Sequence, residues 1–272
     1  MPVSDTPAER PVLDQARLAD VPGWRVEILA ETPSTNAVVA ARARSGAAEG
    51  LAVTTEHQTA GRGRLDRGWA MPPRAALAVS ALLRPSVPAE RWPWVPLMTG
   101  VAVVGAVRDL GYDAGLKWPN DVLVRGRKLC GILVERVETP LGPAAVVGIG
   151  LNTSLTAAEL PVPTATSLAL EGDAPVDRTE VLVLLLRHLT ASYDTWRERP
   201  HELAATYAQM SVTVGQRVRA ELPGGSELVG VATGIDAQGR LEVLADGEAG
   251  PRAVGAGDVV HLRPAPDAGG MQ

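Results

Sequence analysis

The segment KWPNDVLVRGRKLCGIL, residues 117–133, predicts two adjacent β-strands with charged side chains at one end. DVLV and LCGILVERV are rich in Val, Leu and Ile, and the RGR between them, residues 125–127, predicts a tight turn. Such a hairpin brings Asp121 and Lys128 to the same end of a sheet. The chain has two lysines, Lys117 and Lys128, and both lie in this segment, while its other positively charged residues are arginines.

The sequence on both sides of this hairpin alternates short strand patterns with helical ones, which predicts an α+β fold with an α/β-type body. Further strands are predicted at RVEILA from Arg25, LAVTTEHQ from Leu51, ALAVSALL from Ala76 and AAVVGIGLN ending at Asn152. Helices are predicted from Ser34 or Thr35 to about Arg44 and between Pro96 and Gly111, where capping residues, proline and glycine mark the ends.

A third helix is predicted to begin at Asp177, which can cap it together with Glu180. Its apolar residues recur at helical spacing and therefore indicate a buried face. They are Val181, Leu185, Leu189, Tyr193 and Trp196. From Ser211 the pattern changes to short alternating runs separated by glycine-containing turns, which predicts a small antiparallel barrel or sheet.

These patterns suggest four parts of the chain. We expect a flexible N-terminal arm over residues 1–22, the main domain over residues 23–210, a small β-domain over residues 211–264 and a disordered tail over residues 265–272.

Composition and charge exclude several classes of protein. The formal net charge of −5 and pI of about 5.5 argue against a basic surface that grips nucleic acid, so any bound polyanion should be small. The N-terminal residues lack the basic start and apolar run of a signal peptide, and the apolar stretch over residues 94–107 is too short for a membrane span. The single cysteine, Cys130, cannot form an internal disulfide and is expected to fill the core. We therefore expect a cytoplasmic protein that does not enter a membrane.

The densest cluster of candidate binding residues is GRGRLDRGW, residues 61–69, which we call the Gly-Arg loop. Gly61 and Gly63 let backbone N–H groups approach an anion, and the arginines supply planar, multi-donor cations suited to carboxylate and phosphate. These arginines are Arg62, Arg64 and Arg67. The pattern predicts a flexible loop that folds over a bound polyanion, with a solvated basic turn or an RNA-contacting loop as the alternatives.

The two lysines are candidates for stabilising negative charge. Lys117 is a compact point charge in a chain that otherwise uses arginine, which suggests a site requiring an ammonium group. Asp121 could hold a lysine or a metal ion, and Gly131 permits close approach of a ligand to the backbone. Alternatively, residues 119–121 only form a turn and Lys128 only keeps an edge strand soluble.

Amides and hydroxyls complete the inventory. STN, residues 34–36, offers two hydroxyls and an amide at a helix start, and Gln58 adds an amide before the Gly-Arg loop. Asn152 could both donate and accept, as recognition of an adenine edge requires. Ser34 or Thr35 could equally be an ordinary helix cap. The four histidines form no metal-ligand pattern, and the motifs contain no evident nucleophile.

This combination of residues is typical of attack by a substrate carboxylate on the α-phosphate of a nucleotide. Both reactants are anionic, so an enzyme contributes mainly by neutralising charge and aligning them. The residues therefore favour adenylation without a covalent protein intermediate.

The chain resembles the biotin protein ligases. STN, GRGRxxRxW, KWPND, KLxGIL and GIGxN occur in that family's order, and a GIDxxG turn follows from Gly234. The match runs from about Trp24 to Arg263. The resemblance implies a catalytic domain over residues 23–210, related to class II aminoacyl-tRNA synthetases and lipoate ligases, followed by an SH3-like β-barrel over residues 211–264.

The resemblance also implies two reaction steps. Biotin and Mg-ATP give biotinyl-5′-AMP and pyrophosphate, and the biotinyl group then passes to a lysine of a biotin carboxyl carrier domain of an acyl-CoA carboxylase. Family members that repress transcription carry a winged helix-turn-helix before the STN motif, and too few residues precede Ser34 here for that module. We therefore expect a ligase that binds no DNA and exists as a monomer or weak homodimer.

Roles for individual residues follow from the matched motifs. The biotin-binding residues implied by the family are Ser34, Thr35, Asn36, Gln58, Gly61, Arg62, Gly63, Arg64, Lys117 and Gly131. The ATP-binding residues implied are Arg64, Arg67, Trp69, Lys117, Asn120, Lys128 and Asn152. Catalysis is assigned to Lys117, Arg64 and Arg67, with Lys117 contacting both the biotin carboxylate and the α-phosphate. Asp121 is a candidate ligand for Mg²⁺.

Two rival functions are distinguishable in principle. Lipoate ligation shares the scaffold and the adenylation chemistry, but a dithiolane chain needs fewer hydrogen-bonding partners than the Ser, Thr, Asn and Gln set offers. A non-catalytic nucleic-acid-binding module could use the Gly-Arg loop, but the acidic pI argues against it.

Overall fold

Seven strands form the main sheet of the structure, a computed structural model that describes residues 10–69, 71–256 and 261–264. In chain order, the first nine strands are β1 (Arg25–Thr32), β2 (Leu51–Gln58), β3 (Gly61–Arg62), β4 (Gly68–Trp69), β5 (Ala76–Leu83), β6 (Ala114–Lys117), β7 (Asp121–Val124), β8 (Arg127–Val137) and β9 (Ala144–Asn152). The sheet order is β1-β2-β5-β9-β8-β7-β6, with β1 and β2 parallel and the other neighbours antiparallel. β3 and β4 form a separate two-stranded ribbon.

Helices cover both faces of this sheet. They are α1 (Gln15–Ala19), α2 (Thr35–Arg44), α3 (Val95–Asp109), α4 (Leu168–Glu171), α5 (Arg178–Glu198) and α6 (Pro200–Met210). All eight residues of β5 are buried: Leu77 and Val79 pack with α3 and α5, while Leu82 packs with α2 on the opposite face. The uninterrupted apolar run of β5 thus reflects a strand enclosed on both sides. In the described ranges, no helix is long and apolar enough to cross a membrane.

The helix ends confirm the predictions made from capping residues. Ser34 caps α2, and its hydroxyl accepts a hydrogen bond from the backbone of Ala37 at 3.4 Å. Asp177 caps α5 by accepting from the backbone N–H groups of Thr179 and Glu180. All five residues of the predicted apolar stripe on α5 are buried, so the stripe is the core face of this helix.

Part of the predicted N-terminal arm is instead ordered against the body of the protein. Residues 10–22 include α1, which Asp14 caps, and bury the side chains of Leu13, Leu18 and Val21. The expectation of a flexible arm is therefore wrong for these residues. One helical turn is too short to show a periodic pattern, but three apolar contacts can fix the segment. Residues 1–9 of the arm and the predicted tail, 265–272, lie outside the described residues.

The C-terminal part forms a second sheet, as the alternating runs predict. Its strands are β10 (Arg217–Glu221), β11 (Glu227–Ile235), β12 (Leu241–Ala245), β13 (Arg252–Val254) and β14 (His261–Pro264). They are antiparallel in the order β13-β12-β11-β10-β14. Among these described strands, no pairing of β13 with β14 closes the sheet into a barrel.

The turn between β11 and β12, residues 236–239, packs against the domain that contains the main sheet. The indole of Trp94 donates to the Asp236 carbonyl at 3.1 Å, and the buried indole of Trp118 donates to the Gly239 carbonyl at 3.2 Å. Gly239 has a φ of +76°, and a Cβ atom there would lie 3.1 Å from the Pro93 backbone. The C-terminal sheet thus rests directly on the KWPND turn.

Candidate active site

A cavity of about 400 Å³ opens on the face of the main sheet that carries α2. The residues around it come from the start of α2, the Gly-Arg loop, β7, β8, β9 and the loop after β9. Fourteen of the sequence-predicted residues line it: Ser34, Thr35, Asn36, Gln58, Arg62, Gly63, Arg64, Arg67, Trp69, Asn120, Asp121, Lys128, Gly131 and Asn152. Motifs far apart in the sequence therefore meet at one site.

Glycines on β9 and β8 provide the space for the cavity walls. A Cβ atom at Gly148 would lie 2.3 Å from Asn36 Oδ1, and one at Gly150 would lie 2.5 Å from Trp69 Cε2. Gly131 on β8 is similarly covered, since a Cβ there would be 3.1 Å from Trp69 Cζ3. Because none of these distances tolerates a Cβ atom comfortably, the glycines of GIGLN and KLCGIL are required by the side chains packed on them.

One end of the cavity is a buried network of hydroxyls and amides. The Thr35 backbone N–H donates to Gln58 Oε1 at 2.9 Å, and its hydroxyl lies 3.2 Å from the same oxygen. The hydroxyl of Ser80 lies 2.7 Å from Thr35 Oγ1 and 2.6 Å from Asn36 Oδ1. The Asn36 amide donates to Glu135 Oε2 at 2.6 Å. These contacts fix the orientation of each polar group.

Ser80 is a member of this network that the motifs did not reveal. It is fully buried and pairs across the sheet with Gly148, directly beneath Asn36. A signal was present, because Ser80 is the polar residue in the otherwise apolar run ALAVSALL. Buried hydroxyls need hydrogen-bond partners, so a lone serine in such a strand indicates a polar group above it.

The opposite end of the cavity is cationic. Lys128 Nζ lies 2.6 Å from Asp121 Oδ1 and 5.8 Å from the centroid of the Trp69 ring. The predicted proximity of Asp121 and Lys128 is thus confirmed. Arg64 donates to Asn120 Oδ1 at 3.3 Å and to the carbonyl oxygen of Ala256 in the C-terminal part. Burial lowers the pKa of Arg64, an effect that Asp121 opposes and the neighbouring Arg67 reinforces.

A β-bulge aims Lys128 into the cavity. Val122 pairs with Cys130 and Leu123 with Lys128, so the register shifts by one residue and Leu129 has no pairing partner on β7. Leu129 and Cys130 are both fully buried in the same core cluster, which breaks the usual alternation of the strand. Lys128 consequently lies on the same face as Gly131, three residues before it, whereas strict alternation would place residue 129 on that face. Bulges commonly redirect side chains near functional sites.

Two sequence-predicted residues do not line the cavity in the described part of the chain. Gly61 packs against Gln58, where a Cβ atom would lie 2.3 Å from the Gln58 Nε2 atom. Lys117 lies on β6, the outermost strand, opposite Asp121 and therefore one strand further from the cavity. Lys128 therefore lines the cavity itself, while Lys117 pairs with the cavity residue Asp121 from the next strand, and the predicted role of Lys117 stays a prediction.

The loop between β9 and α4, residues 153–167, supplies cavity residues that carried no recognisable motif. They are Pro161, Val162, Thr164 and Ala165. The end of this loop pairs with β8: the Lys128 N–H donates to the Thr164 carbonyl at 2.8 Å, and the Thr166 N–H donates to the Lys128 carbonyl at 2.9 Å. Asn152 is 4% exposed, and its amide donates to the Thr166 carbonyl at 2.8 Å.

Among residues 10–69, 71–256 and 261–264, no group of three His, Cys, Asp or Glu side chains could together hold a metal ion. Asp121 and the amide oxygen of Asn120 are nevertheless oxygen donors at the cationic end. These oxygens suit a hard cation whose remaining ligands come from a bound phosphate and water.

A seven-stranded sheet with this cavity, followed by a small β-domain, defines the class of the biotin/lipoate A/B protein ligases, whose sequence signature matches residues 29–152. The signature described as the biotin protein ligase C terminal domain matches residues 213–262. The chain belongs to the biotin protein ligase family.

Individual relatives agree with this assignment. The biotin--[acetyl-CoA-carboxylase] ligase of Mycobacterium tuberculosis is 45% identical over 96% of this chain and 100% of its own length. The bifunctional ligase/repressor BirA of Bacillus subtilis is 32% identical over 73% of this chain. The aligned part covers 63% of BirA, which is the longer protein. The biotin protein ligase of Aquifex aeolicus in complex with biotin and ATP superposes with a TM-score of 0.76, at 27% identity, over 89% of this chain and 99% of that chain.

Proposed function

We propose that this protein is an ATP-dependent ligase that activates biotin as biotinyl-5′-AMP and transfers the biotinyl group to a lysine of a biotin carboxyl carrier domain of an acyl-CoA carboxylase. The observation that carries this proposal is a single cavity with a buried hydroxyl and amide network at one end and cations at the other. Such a cavity can hold a neutral polar ring and a polyanion side by side. The names of the M. tuberculosis and A. aeolicus relatives support the same chemistry.

The polar end suits the ureido ring of biotin, which has one carbonyl acceptor and two N–H donors. Ser34, Thr35, Asn36 and Gln58 line this end, and Gly131 of β8 lies on the side of the cavity towards Trp69 and Lys128, where the carboxylate arm of biotin would pass. Hydroxyls can donate to the ring carbonyl, while amide oxygens can accept from its N–H groups. Ser80 and Glu135 already orient Thr35 and Asn36 in the ligand-free protein. These side chains should therefore lose little conformational entropy when biotin binds.

The cationic end suits the nucleotide. The Trp69 ring provides a flat surface beside Gly150, and its buried indole N–H has no acceptor among the described residues. A bound nucleotide could supply that acceptor. Arg67, Asn120 and Asn152 also line this end. We assign adenine to the Trp69 side and the phosphates to the arginines of the Gly-Arg loop.

The first reaction step requires charge neutralisation more than acid–base catalysis. A biotin carboxylate oxygen attacks the α-phosphorus, and the bond to pyrophosphate breaks as its electrons pass to the leaving oxygen. Lys117 and Lys128 would neutralise the carboxylate and the α-phosphate as they approach, with Arg64 and Arg67 stabilising the charge that develops. Arg62 and Gly63 close the loop over the product. Asp121 and Asn120 would hold Mg²⁺, which shields the phosphate charge.

In the second step the amine of the acceptor lysine attacks the acyl carbonyl of the adenylate. The C–N bond forms, the C–O bond to AMP breaks, and the amine releases a proton. The enzyme contributes by keeping the mixed anhydride in place until the carrier domain arrives. No protein nucleophile takes part, in keeping with the residues that line the cavity.

The same proposal extends to organisation and location. We assign the catalytic unit to residues 23–210 and an SH3-like domain to residues 211–264, with the described C-terminal sheet as its core. The enzyme acts as a monomer or a weak homodimer in the cytoplasm, where ATP and acyl-CoA carboxylases are found. Analytical ultracentrifugation with and without biotinyl-AMP would measure the oligomeric state.

Pyrophosphate release tests the proposed function directly. Purified protein with Mg-ATP is expected to release pyrophosphate when biotin is added, and to label a carrier domain in a second incubation. Lipoate at the same concentration should give no more than background release, because its dithiolane ring lacks the hydrogen-bonding groups that the polar end would pair. Equal release with lipoate would favour the lipoate-ligase alternative, and no biotin-dependent release would contradict the proposal.

Two matched glycine variants should separate the two ends of the cavity. Gly148→Ala is expected to raise KM for biotin about 10-fold by displacing Asn36, and Gly150→Ala to raise KM for ATP about 10-fold by displacing Trp69, since overpacking costs roughly 1–3 kcal/mol. Each variant should leave the other KM within about 2-fold of wild type, because the contacts differ. Steady-state kinetics with each substrate varied in turn measures both. A rise in the same KM for both variants would show that the two ends are not distinct.

A further inference from the structure

The ordered N-terminal segment, residues 10–22, crosses the protein and contacts the loop that completes the cavity; we call this segment the strap. We propose that Arg10 of the strap is a positioning residue for the β9–α4 loop, residues 153–167, and thereby for the nucleotide end of the cavity. This inference rests on the proposed function for the identity of the ligand, but its geometry does not depend on it.

Arg10 grips the β9–α4 loop at two points. Its guanidinium donates to Glu159 with Nη1–Oε1 and Nη2–Oε2 distances of 3.1 and 2.5 Å, and Nη2 also donates to the Ser154 carbonyl at 2.8 Å. The Arg10 and Glu159 side chains are 12% and 23% exposed, so water competes poorly for this bidentate pair. Because Glu159 also caps its own helical turn through Thr156, one guanidinium ties Ser154 to the turn over residues 156–159, beside the separate hydrogen bond from the Ser154 N–H to the Ala75 carbonyl at 2.8 Å.

The strap can hold the loop because it is itself fastened to the body. The Leu13 N–H donates to Glu56 Oε1 at 2.7 Å, and Glu56 also pairs with the buried Arg178 at 2.5 Å. Arg178 donates in turn to the Pro11 carbonyl at 2.7 Å. Leu18 is fully buried. These anchors follow Arg10 in the chain and hold the strap against β2 and α5.

The other end of the loop is fixed at the cavity. Its residues Thr164 and Thr166 pair with the backbone of Lys128, and Thr166 accepts from the amide of Asn152. The middle of the loop, Pro161 and Val162, lines the cavity, and Val162 is 49% exposed. While both ends of the loop are held, Pro161 and Val162 keep one position. Without the hydrogen bonds from Arg10, the loop is held only at its first residues and where it pairs with Lys128.

The consequence should fall on the nucleotide rather than on the other substrate. The loop contacts Lys128 and Asn152, both at the cationic end. The hydrogen bonds of Thr35, Asn36 and Gln58 instead join them to one another, to Ser80 and to β8. Arg10→Ala is therefore expected to raise KM for ATP about 5- to 10-fold, with kcat and KM for biotin changed less than about 2-fold. Arg10→Lys, which can keep the charge pair with Glu159, should recover part of the loss.

Two readouts test this proposal independently. Hydrogen exchange of the ligand-free protein should show faster exchange in residues 154–165 of Arg10→Ala, while a control, Arg17→Ala, should not. Arg17 is also in the strap and pairs with Asp177 at 2.5 Å, but both side chains are more than 40% exposed and neither contacts the loop. Kinetics of the same variants then measure the effect on ATP.

The outcomes separate this proposal from the proposed function. Unchanged exchange in residues 154–165 of Arg10→Ala would overturn the positioning role, as would an equal rise in both KM values. A fall in Tm with no local change in exchange would also overturn it, since Arg10 would then act only through global stability. If wild-type protein showed no biotin-dependent activity, the proposed function would fail, yet the exchange experiment would still decide the role of Arg10.

Discussion

Replacement of Lys128 by arginine is expected to slow adenylate formation by about 10²- to 10³-fold, the effect typical of removing one group that stabilises charge in a transition state. The charge is kept, but the shape is not. Lys128 Nζ lies 2.6 Å from Asp121, and a Cβ atom at Gly131 would be only 3.3 Å from the Lys128 Cε and Nζ atoms. A planar guanidinium is wider than an ammonium and would have to leave this space or displace Trp69. Rapid-quench measurement of pyrophosphate release in a single turnover would test the prediction.

The same substitution at the second lysine is a matched comparison. Lys117→Arg is expected to lose most activity as well, because Lys117 pairs with Asp121 across β6 and β7 and so lies on the face of the sheet that carries the cavity. A large loss in Lys117→Arg alone would leave the central role to Lys117. A large loss in Lys128→Arg alone would leave it to Lys128.

Replacement of Arg64 by glycine is expected to accelerate release of biotinyl-AMP by about 10- to 100-fold, which is the range for losing a hydrogen-bonded charge. Arg64 connects the Gly-Arg loop to Asn120 at 3.3 Å and to the Ala256 carbonyl in the C-terminal part. Glycine removes both contacts and frees the loop backbone. Adenylate that escapes is a reactive mixed anhydride, so it should acylate lysines of bystander proteins.

A pulse–chase experiment measures this leak. The variant is loaded with labelled biotin and Mg-ATP, chased with unlabelled adenylate analogue, and the bound label is followed by filtration over time. Arg199→Gly is the control, because the side chain of Arg199 pairs with the nearby Glu202 and more than half of each side chain is exposed. Retention equal to that of wild type in Arg64→Gly would exclude a role for Arg64 in closing the loop.

Local chemistry in the sequence predicted much of the fold. The strand and helix patterns, the capping residues Ser34 and Asp177 and the apolar stripe of α5 depend on neighbours within a few residues. The hairpin at residues 125–127 is another local feature, since Arg125 and Gly126 both adopt positive φ there. The motifs also identified fourteen residues that now line one cavity, because each motif marks a strand end or loop facing the same side of the sheet.

Other features have physical causes that lie beyond such local patterns. The positions of Lys117 and Lys128 relative to the cavity depend on strand order, which places β6 outermost, and on the bulge in β8. The strap holds the β9–α4 loop through Arg10, whose partner Glu159 is 149 residues away. Val162 lies at the cavity only because its loop folds back onto β8. None of these pairings leaves a periodic signal in the chain.

The bulge in β8 decides which way the KLCGIL motif presents its charge. Leu129 and Cys130 both lie in the apolar core, so other apolar residues of similar volume could replace them. A regular strand of the same length would turn the ammonium group of Lys128 towards that core, because Lys128 lies three residues before Gly131. This part of the protein should therefore tolerate apolar substitution at residues 129 and 130 far better than a change that straightens the bulge.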